Sequence, residues 1–237
     1  MTEEQWKERM GDLARASEQS DIRKRFYSIK YTMPRVQIDL LQMSLFVRHR
    51  RDCWAYVSGN CPELSVKQKI LEHEHEEIIR DEYSDYGHLD LVIRQAKSVG
   101  LTAEDVLNAV PLPTTTATLY GWAWMTREKP WQQGLAALMA TEMCSDNRLM
   151  ADLGGGAALK KAKKLMEDLG LSLKQIPNAA AHSKADEKHS EMFISSIAAF
   201  VPKDQEEQIL RAFKESLDLR ELLCWGICEA MEKLPEK

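Results

Sequence analysis

The sequence predicts an all-α protein, and three observations support this. Apolar residues recur at helical spacing along most of the chain, no six-residue stretch alternates as a half-buried strand does, and prolines and glycines divide the chain into helix-length segments. With 237 residues, of which 44% are hydrophobic, the chain is long enough to bury a full core. We therefore predict a single domain over residues 1–237.

The predicted helices follow from this punctuation. Pro34 stands where a helix opens, Thr102 is an N-cap, and Gly170 ends a helix. The glycines at 154–156 predict a turn and not a phosphate-binding loop, because no strand precedes them. The pattern gives about seven main helices and several shorter ones, at roughly 3–18, 21–31, 34–58, 64–85, 88–99, 113–127, 131–152, 157–169, 173–200 and 203–233.

Composition excludes several classes of partner. The 32 basic and 37 acidic residues give a net charge of −5, with no basic tract that could follow a phosphate backbone, so we expect no nucleic acid partner. No run reaches the roughly 18 apolar residues of a spanning helix, and the start has no apolar signal segment. Five scattered cysteines are typical of reduced thiols. We expect a soluble, cytoplasmic protein without a membrane partner.

A late segment carries two histidines and an aspartate at helical spacing. At 100° per residue, the side chains of His182, Asp186 and His189 fall within an arc of about 60°. The same face continues through Phe193 and Ile197, which are inward-type residues. Two imidazoles and a carboxylate buried together are costly unless a cation pairs with them. The segment therefore predicts a metal site.

Two further carboxylates fall on faces predicted to point inward. Glu142 shares a stripe with Leu138 and Leu149, where helical periodicity favours an aliphatic residue. Taken alone, a buried glutamate is as well explained by pairing with Arg or Lys as by a metal. Glu82 shares a second stripe, and the other members of that stripe are Leu71, His75 and Ile78. In an unbroken helix His88 would point away from this stripe, so a break near Gly87 is needed to bring it round.

Together these segments offer three imidazoles and three carboxylates, which are Glu82, His88, Glu142, His182, Asp186 and His189. Mixed ligation of this kind suits iron or manganese better than magnesium, calcium or structural zinc. Six ligands exceed what one open iron needs and fit two Fe(II) ions per chain, with O2 as co-substrate. Asp81 and Asp85 remain alternatives to Glu82, and manganese remains an alternative to iron.

These residues also carry a resemblance to a known family. The "RDE" that ends at Glu82, the following His88, the inward Glu142 and the late His-x3-Asp-x2-His resemble the haem-oxygenase-like diiron oxidases and oxygenases, relatives of the thiaminase II and PqqC proteins. The early "RFYSIKY" around Tyr27 resembles an aromatic pair of that superfamily. The resemblance implies a seven-helix bundle without haem, with the six residues as iron ligands. It also implies oxidation of a small amino-acid-like or fatty-acid-like substrate in a biosynthetic pathway.

Several side chains are candidates for binding the substrate. Arg48 or Arg51 could fork a carboxylate, while Tyr27 and Trp124 could wall a pocket. The predicted partner is a small molecule, and a homodimer and an external electron donor stay open. Two alternatives compete with the diiron enzyme: a thiaminase-II-like hydrolase with a cysteine nucleophile and no metal, and a non-catalytic helical protein that binds metal.

Overall fold

The computed structural model describes residues 1–80, 82 and 84–235, except for the side chains of 182–188. The described residues form twelve α-helices and no strand, which confirms the all-α class. In chain order these helices are α1 (Glu3–Glu18), α2 (Asp21–Ser28), α3 (Met33–Asn60), α4 (Leu64–Ile78), α5 (His88–Lys97), α6 (Ala103–Leu107), α7 (Pro113–Arg127), α8 (Trp131–Ser145), α9 (Ala157–Leu169), α10 (Pro177–Met192), α11 (Ile194–Phe200) and α12 (Glu206–Glu232). Three short 3-10 turns lie at Ala151–Leu153, Leu173–Gln175 and Lys203–Gln205.

The expected count of about seven main helices is too low, because several predicted segments end early or divide. The segment predicted at 64–85 stops at Ile78, and the one at 131–152 stops at Ser145. The segment at 173–200 divides into a 3-10 turn, α10 and α11. Tertiary contacts, which a one-dimensional pattern does not contain, set these ends.

Local capping signals were predicted more accurately. The Thr102 hydroxyl accepts a hydrogen bond from the Asp105 amide and opens α6. Gly170 ends α9 in the left-handed conformation, with φ of 67°. The predicted glycine turn is present, and Gly154 and Gly155 both have positive φ. These signals act over a few residues, so the sequence alone is enough to find them.

Helix α8 is the centre of the fold. All six residues from Leu135 to Ala140 are buried, so the helix is covered on every side. Helices α7, α10 and α12 pack directly against it. The main core runs from Trp6 in α1 to Met231 in α12. None of the helices in the described part of the chain combines the length and apolar character needed to cross a membrane.

Candidate metal centre and its cavity

The inward face of α4 carries a histidine and a glutamate. Val66, Ile70, His73 and Glu77 are buried along this face. By contrast, Leu71 and Ile78 are 66% and 52% exposed, and His75 is exposed. The inward stripe predicted through Leu71, His75, Ile78 and Glu82 is therefore wrong, since its helical members form the solvent face.

Three side chains meet between α4 and α10. Ligand atoms of His73, Glu77 and His189 all lie within 4.8 Å of one another. The two imidazole rings have centroids 4.5 Å apart, and Nδ1 of His189 lies 3.6 Å from Oε1 of Glu77. The Trp54 ring also packs against the His73 ring, at 4.5 Å between centroids. An aromatic side chain therefore packs directly against the cluster.

Carboxylates and arginines surround this cluster. Arg51 binds Glu74 at 2.8 Å and Glu77 at 3.1 Å through its two terminal nitrogens. Glu74 also lies 3.1 Å from Nδ1 of His73, and Glu76 lies 2.8 Å from Nε2 of His189. Both imidazoles of the cluster are therefore oriented by carboxylates, an arrangement common around metal-binding histidines.

Burial sets the charge states of the cluster. It lowers the pKa of His73 well below the usual range, so this imidazole is neutral near pH 7. Burial alone would raise the pKa of Glu77, but the charges of His88 and Arg51 outweigh it and hold that pKa well below normal. Within the described part of the chain, Nε2 of His73 is buried without a hydrogen-bond partner. A neutral imidazole with an unused nitrogen beside an ionised carboxylate is a donor set suited to a cation.

The chain folds back sharply between α4 and α5, and this brings His88 to the cluster. A Cβ at Gly87 would lie 2.0 Å from the carbonyl oxygen of Ile78, so only glycine allows this approach. His88, the first residue of α5, is buried, and its Nδ1 lies 2.8 Å from Oε2 of Glu77. The break that was expected near Gly87 is present.

The described carboxylates between α4 and α5 lie on the surface and not in the cluster. Glu82 belongs to no helix and is exposed, as is Asp85, while Asp81 lies outside the described residues. Because α4 ends at Ile78, the helical geometry that was expected to turn Glu82 inward does not reach it. Glu77, five residues before Glu82, occupies the inward position.

Of the other predicted ligands, Glu142 and His189 can be placed in the structure. Glu142 in α8 is largely buried, and its Oε1 lies 3.2 Å from Nη2 of Arg50. The arginine pairing that was considered for a buried glutamate is thus present. His182 and Asp186 belong to α10, but their side chains lie outside the described residues. Of the late triad, only His189 can be placed in the cluster.

A cavity of about 160 Å³ opens beside the cluster. Glu77, Glu142 and Arg51 line one part of it, and Tyr27 lines another. Of the predicted substrate-binding residues, Arg51 and Tyr27 therefore face this space. Arg48 instead donates to the carbonyl of Leu107, and Trp124 is 55% exposed on the surface of α7.

The signal for His73 and Glu77 was present in the sequence. Val66, Ile70, His73 and Glu77 are spaced by four, three and four residues, and this spacing keeps them within about 60° on a helix. Leu71, His75, Ile78 and Glu82 repeat the same spacing five positions later. Both stripes fit the helical pattern equally well, and only the tertiary position of α4 separates them.

Comparisons with known proteins identify a family and a fold. A family described as "Iron-containing redox enzyme" matches residues 40–221. No curated protein matches the sequence. A domain of unknown function with a heme oxygenase-like fold from Shewanella denitrificans superposes with a TM-score of 0.71 at 19% identity, covering 98% of this chain and 93% of that one.

Two other solved structures share the fold. A CADD-like protein of unknown function from Nostoc punctiforme has a TM-score of 0.74 at 15% identity, covering 96% of this chain and 97% of its own. A TenA homologue from P. horikoshii has a TM-score of 0.66 at 14% identity, covering 96% and 98%. At these identities the similarity establishes the haem-oxygenase-like fold, which confirms the expected resemblance.

Proposed function

Because this chain belongs to the family of iron-containing redox enzymes, we propose that it is a non-haem iron oxidase or oxygenase that uses O2 to oxidise a small organic substrate. The observation that carries the proposal is the buried group of His73, Glu77 and His189 beside a cavity. When bound, ferrous iron supplies the electrons and the open coordination positions that O2 activation requires.

The residues present fit an iron ion. His73 offers a neutral imidazole with an unpartnered Nε2, and Glu77 offers an ionised carboxylate. His189 adds a second imidazole from another helix, so the ion would join α4 to α10. Such a mixed nitrogen and oxygen donor set, without thiolate, favours iron over structural zinc.

We further propose that the protein holds two irons. Glu142 lies on the same cavity and is the carboxylate available to a second ion, with His182 and Asp186 as its proposed partners in α10. Glu77 takes the role that the sequence pattern had suggested for Glu82, and His88 lies against it.

Arg50 and Arg51 hold the carboxylates of this site in position. Arg51 holds Glu74 and Glu77, while Arg50 donates to Glu142 and, at 2.6 Å, to the carbonyl of Leu138. These contacts fix the carboxylate positions in the absence of a cation. The stacked rings of Trp54 and Phe193, 4.9 Å apart between centroids, keep water from one side of the cluster.

The matched pair His73→Ala and His75→Ala tests the proposal. The two histidines lie two residues apart on α4, one buried in the cluster and the other exposed. We expect His73→Ala to weaken ferrous iron binding at least about tenfold and to abolish iron-dependent O2 consumption, because a primary ligand is lost. His75→Ala should bind iron and consume O2 as the wild type does. Equal iron binding by all three proteins would refute the assignment.

A metal-free hydrolase with a cysteine nucleophile is a second candidate, favoured by one specific observation. Cys224 lines the cavity, and Nη1 of Arg23 lies 3.4 Å from its sulfur. A hydrogen bond with Cys228, aided by the charge of Arg23, lowers the pKa of Cys224 to about 6 although burial opposes this. Cys144, by contrast, has its pKa raised to about 11 by burial. Hydrolysis by chelator-treated protein that is lost in Cys224→Ser would support this candidate over the oxidase.

A further inference from the structure

The longest stretch of this chain without a charged residue reaches the protein surface. Residues 106–126 contain no Asp, Glu, Lys or Arg, although 29% of the chain is charged and about six such residues would be expected in this length. Leu107 and Val110, just before α7, are 48% and 79% exposed, and Tyr120 and Trp124 of α7 are 73% and 55% exposed. Single exposed apolar side chains are normal, but a continuous uncharged surface indicates an interaction site.

Helix α7 carries aromatic residues on its inner and its outer face. Tyr120 and Trp124 are four positions apart, so they lie on one side of the helix, while Trp122 points inward and is fully buried. The outer face of a surface helix usually carries charged residues. In α7 the only charged residue is Arg127, which is the last residue of the helix. The outer face of α7 therefore has the composition of a contact surface.

Helix α12 extends this surface. It runs antiparallel to α7, because Gly226 lies close to Thr114 and Leu219 lies against Gly121. Trp225, next to Gly226, therefore lies beside the start of α7, and it is 41% exposed. On both helices the exposed aromatic residues point away from the core. We call this surface the apolar face, and it consists of Leu107, Val110, Tyr120, Trp124 and Trp225.

The charged groups at the edge of the apolar face are paired with one another. Lys214 and Asp218 of α12 form an ion pair at 2.6 Å. Lys129 pairs with Glu215, which also binds Arg211 at 3.1 Å. These five groups together carry a net charge of only +1. Neither the apolar face nor its edge therefore has a strong charge of either sign.

This electrical neutrality favours a second copy of the chain as the partner. In a two-fold symmetric dimer the same surface supplies both sides, so a strongly charged surface would meet its own charge and be repelled. Surfaces that bind membranes combine apolar residues with lysines and arginines that are free to meet anionic headgroups. Here both lysines at the edge are bound to carboxylates, and the chain has a net charge of −5. A lipid surface is therefore the less suitable partner.

The apolar face is also of a suitable size. A whole aromatic side chain has an area of 150–250 Å², so the exposed parts of Tyr120, Trp124 and Trp225 amount to roughly 350 Å². A standard dimer buries about 800 Å² on each partner. The three aromatic residues alone supply nearly half of that area, and Leu107 and Val110 extend it beyond the start of α7.

We propose that the apolar face is the interface of a symmetric homodimer, in which α7 and α12 of one copy pack on the same two helices of the other. The aromatic side chains then lie at the centre of the interface and the ion pairs at its edge. This is the usual arrangement of stable protein interfaces. The proposal does not depend on iron.

Sedimentation velocity of the full chain at micromolar concentrations tests the proposal. We expect the wild type to sediment as a dimer. Trp124→Glu should raise the dissociation constant at least about tenfold, because a charge replaces a central aromatic side chain. Tyr120→Lys, a change of opposite charge on the same face, should act alike, and circular dichroism checks that both variants are folded.

Leu71→Glu is the matched control, since Leu71 is 66% exposed on α4 and lies outside the apolar face. It should dimerise as the wild type does. A monomeric wild type, a dimer that Trp124→Glu and Tyr120→Lys leave intact, or equal loss of the dimer in Leu71→Glu would overturn the proposal.

Flotation with vesicles of phosphatidylcholine and phosphatidylserine tests lipid as the alternative partner. We expect the wild type to remain unbound. A monomeric wild type that floats with the vesicles, and no longer floats after Trp124→Glu, would identify lipid as the partner and overturn the dimer. A wild type that neither dimerises nor floats would also overturn it and would leave the apolar face to a different protein.

Discussion

At the scale of single residues, the most informative contrast is between His189 and His73. His189 was found from the sequence because its stripe continues into Phe193 and Ile197, both of which are fully buried. His73 was missed because "LEHEHEEI" offers histidines on two faces of one helix. The spacing of residues in a sequence predicts that a helix has an inward face. Contacts with other helices decide which face is buried.

Glu18 gives a residue-scale prediction about pH. Burial raises its pKa, but Arg23 and Arg220 outweigh burial and hold that pKa at about 2, against a usual 4.5. A lowered pKa stabilises the fold above the unfolded value, and this contribution is lost as the pH falls from about 4.5 to about 2. We expect the wild type to lose about 3 kcal/mol of unfolding free energy from this group over that window.

Chemical denaturation of Glu18→Gln between pH 7 and pH 2 measures this contribution. The variant should be less stable at pH 7, because two buried guanidiniums lose their carboxylate, and its stability should fall less steeply below pH 4.5. Glu3→Gln, an exposed change on the same helix, is the control and should follow the wild type. Parallel curves for Glu18→Gln and wild type would contradict the account.

At the scale of helices, the packing of α12 against α7 includes one very close approach of the two backbones. Gly226 of α12 packs so near α7 that a Cβ would lie 1.7 Å from Oγ1 of Thr114. Gly226→Ala should therefore lower the unfolding free energy by about 1–3 kcal/mol, because one of the helices must shift. Gly59→Ala is the control, since no atom lies within 4 Å of its added methyl. In urea denaturation the unfolding free energy of Gly59→Ala should equal or slightly exceed that of the wild type. Equal unfolding free energies for the two variants would contradict this packing.

A second helix-scale prediction concerns α10. His189 connects this helix to α4 through Glu76 and Glu77, so a bound metal ion would add a direct link between the two helices. Anaerobic ferrous iron should slow amide hydrogen exchange in residues 178–195 and leave 206–232 nearly unchanged. His73→Ala should show no such slowing. Identical exchange with and without iron in the wild type would mean that metal and helix are not coupled.

Some helix ends could be predicted from the sequence and others could not. Gly170 and Thr102 were predicted correctly because each acts within its own helix turn. The end of α4 at Ile78 lies in close contact with Gly87, nine positions later in the chain. After this end of α4, Glu82 is exposed and His88 is buried against Glu77. The break near Gly87 was expected, but its effect on the end of α4 was not.

At the scale of the whole molecule, one cavity joins features from opposite parts of the chain. Arg23 comes from α2, Glu142 from α8 and Cys224 from α12, yet all three line it. The pairing of Arg50 with Glu142 and the position of Arg220 are tertiary facts, so no spacing rule could have predicted them. The all-α class, by contrast, followed from periodicity alone.

The central claim is that His73, Glu77 and His189 bind iron. Crystals grown anaerobically with ferrous iron, with diffraction data collected on both sides of the iron absorption edge, test it most directly. We expect an anomalous peak between α4 and α10, bonded to His73 and Glu77 and in contact with His189. A fully loaded crystal whose peaks lie only on exposed carboxylates such as Glu82 or Asp85 would contradict it.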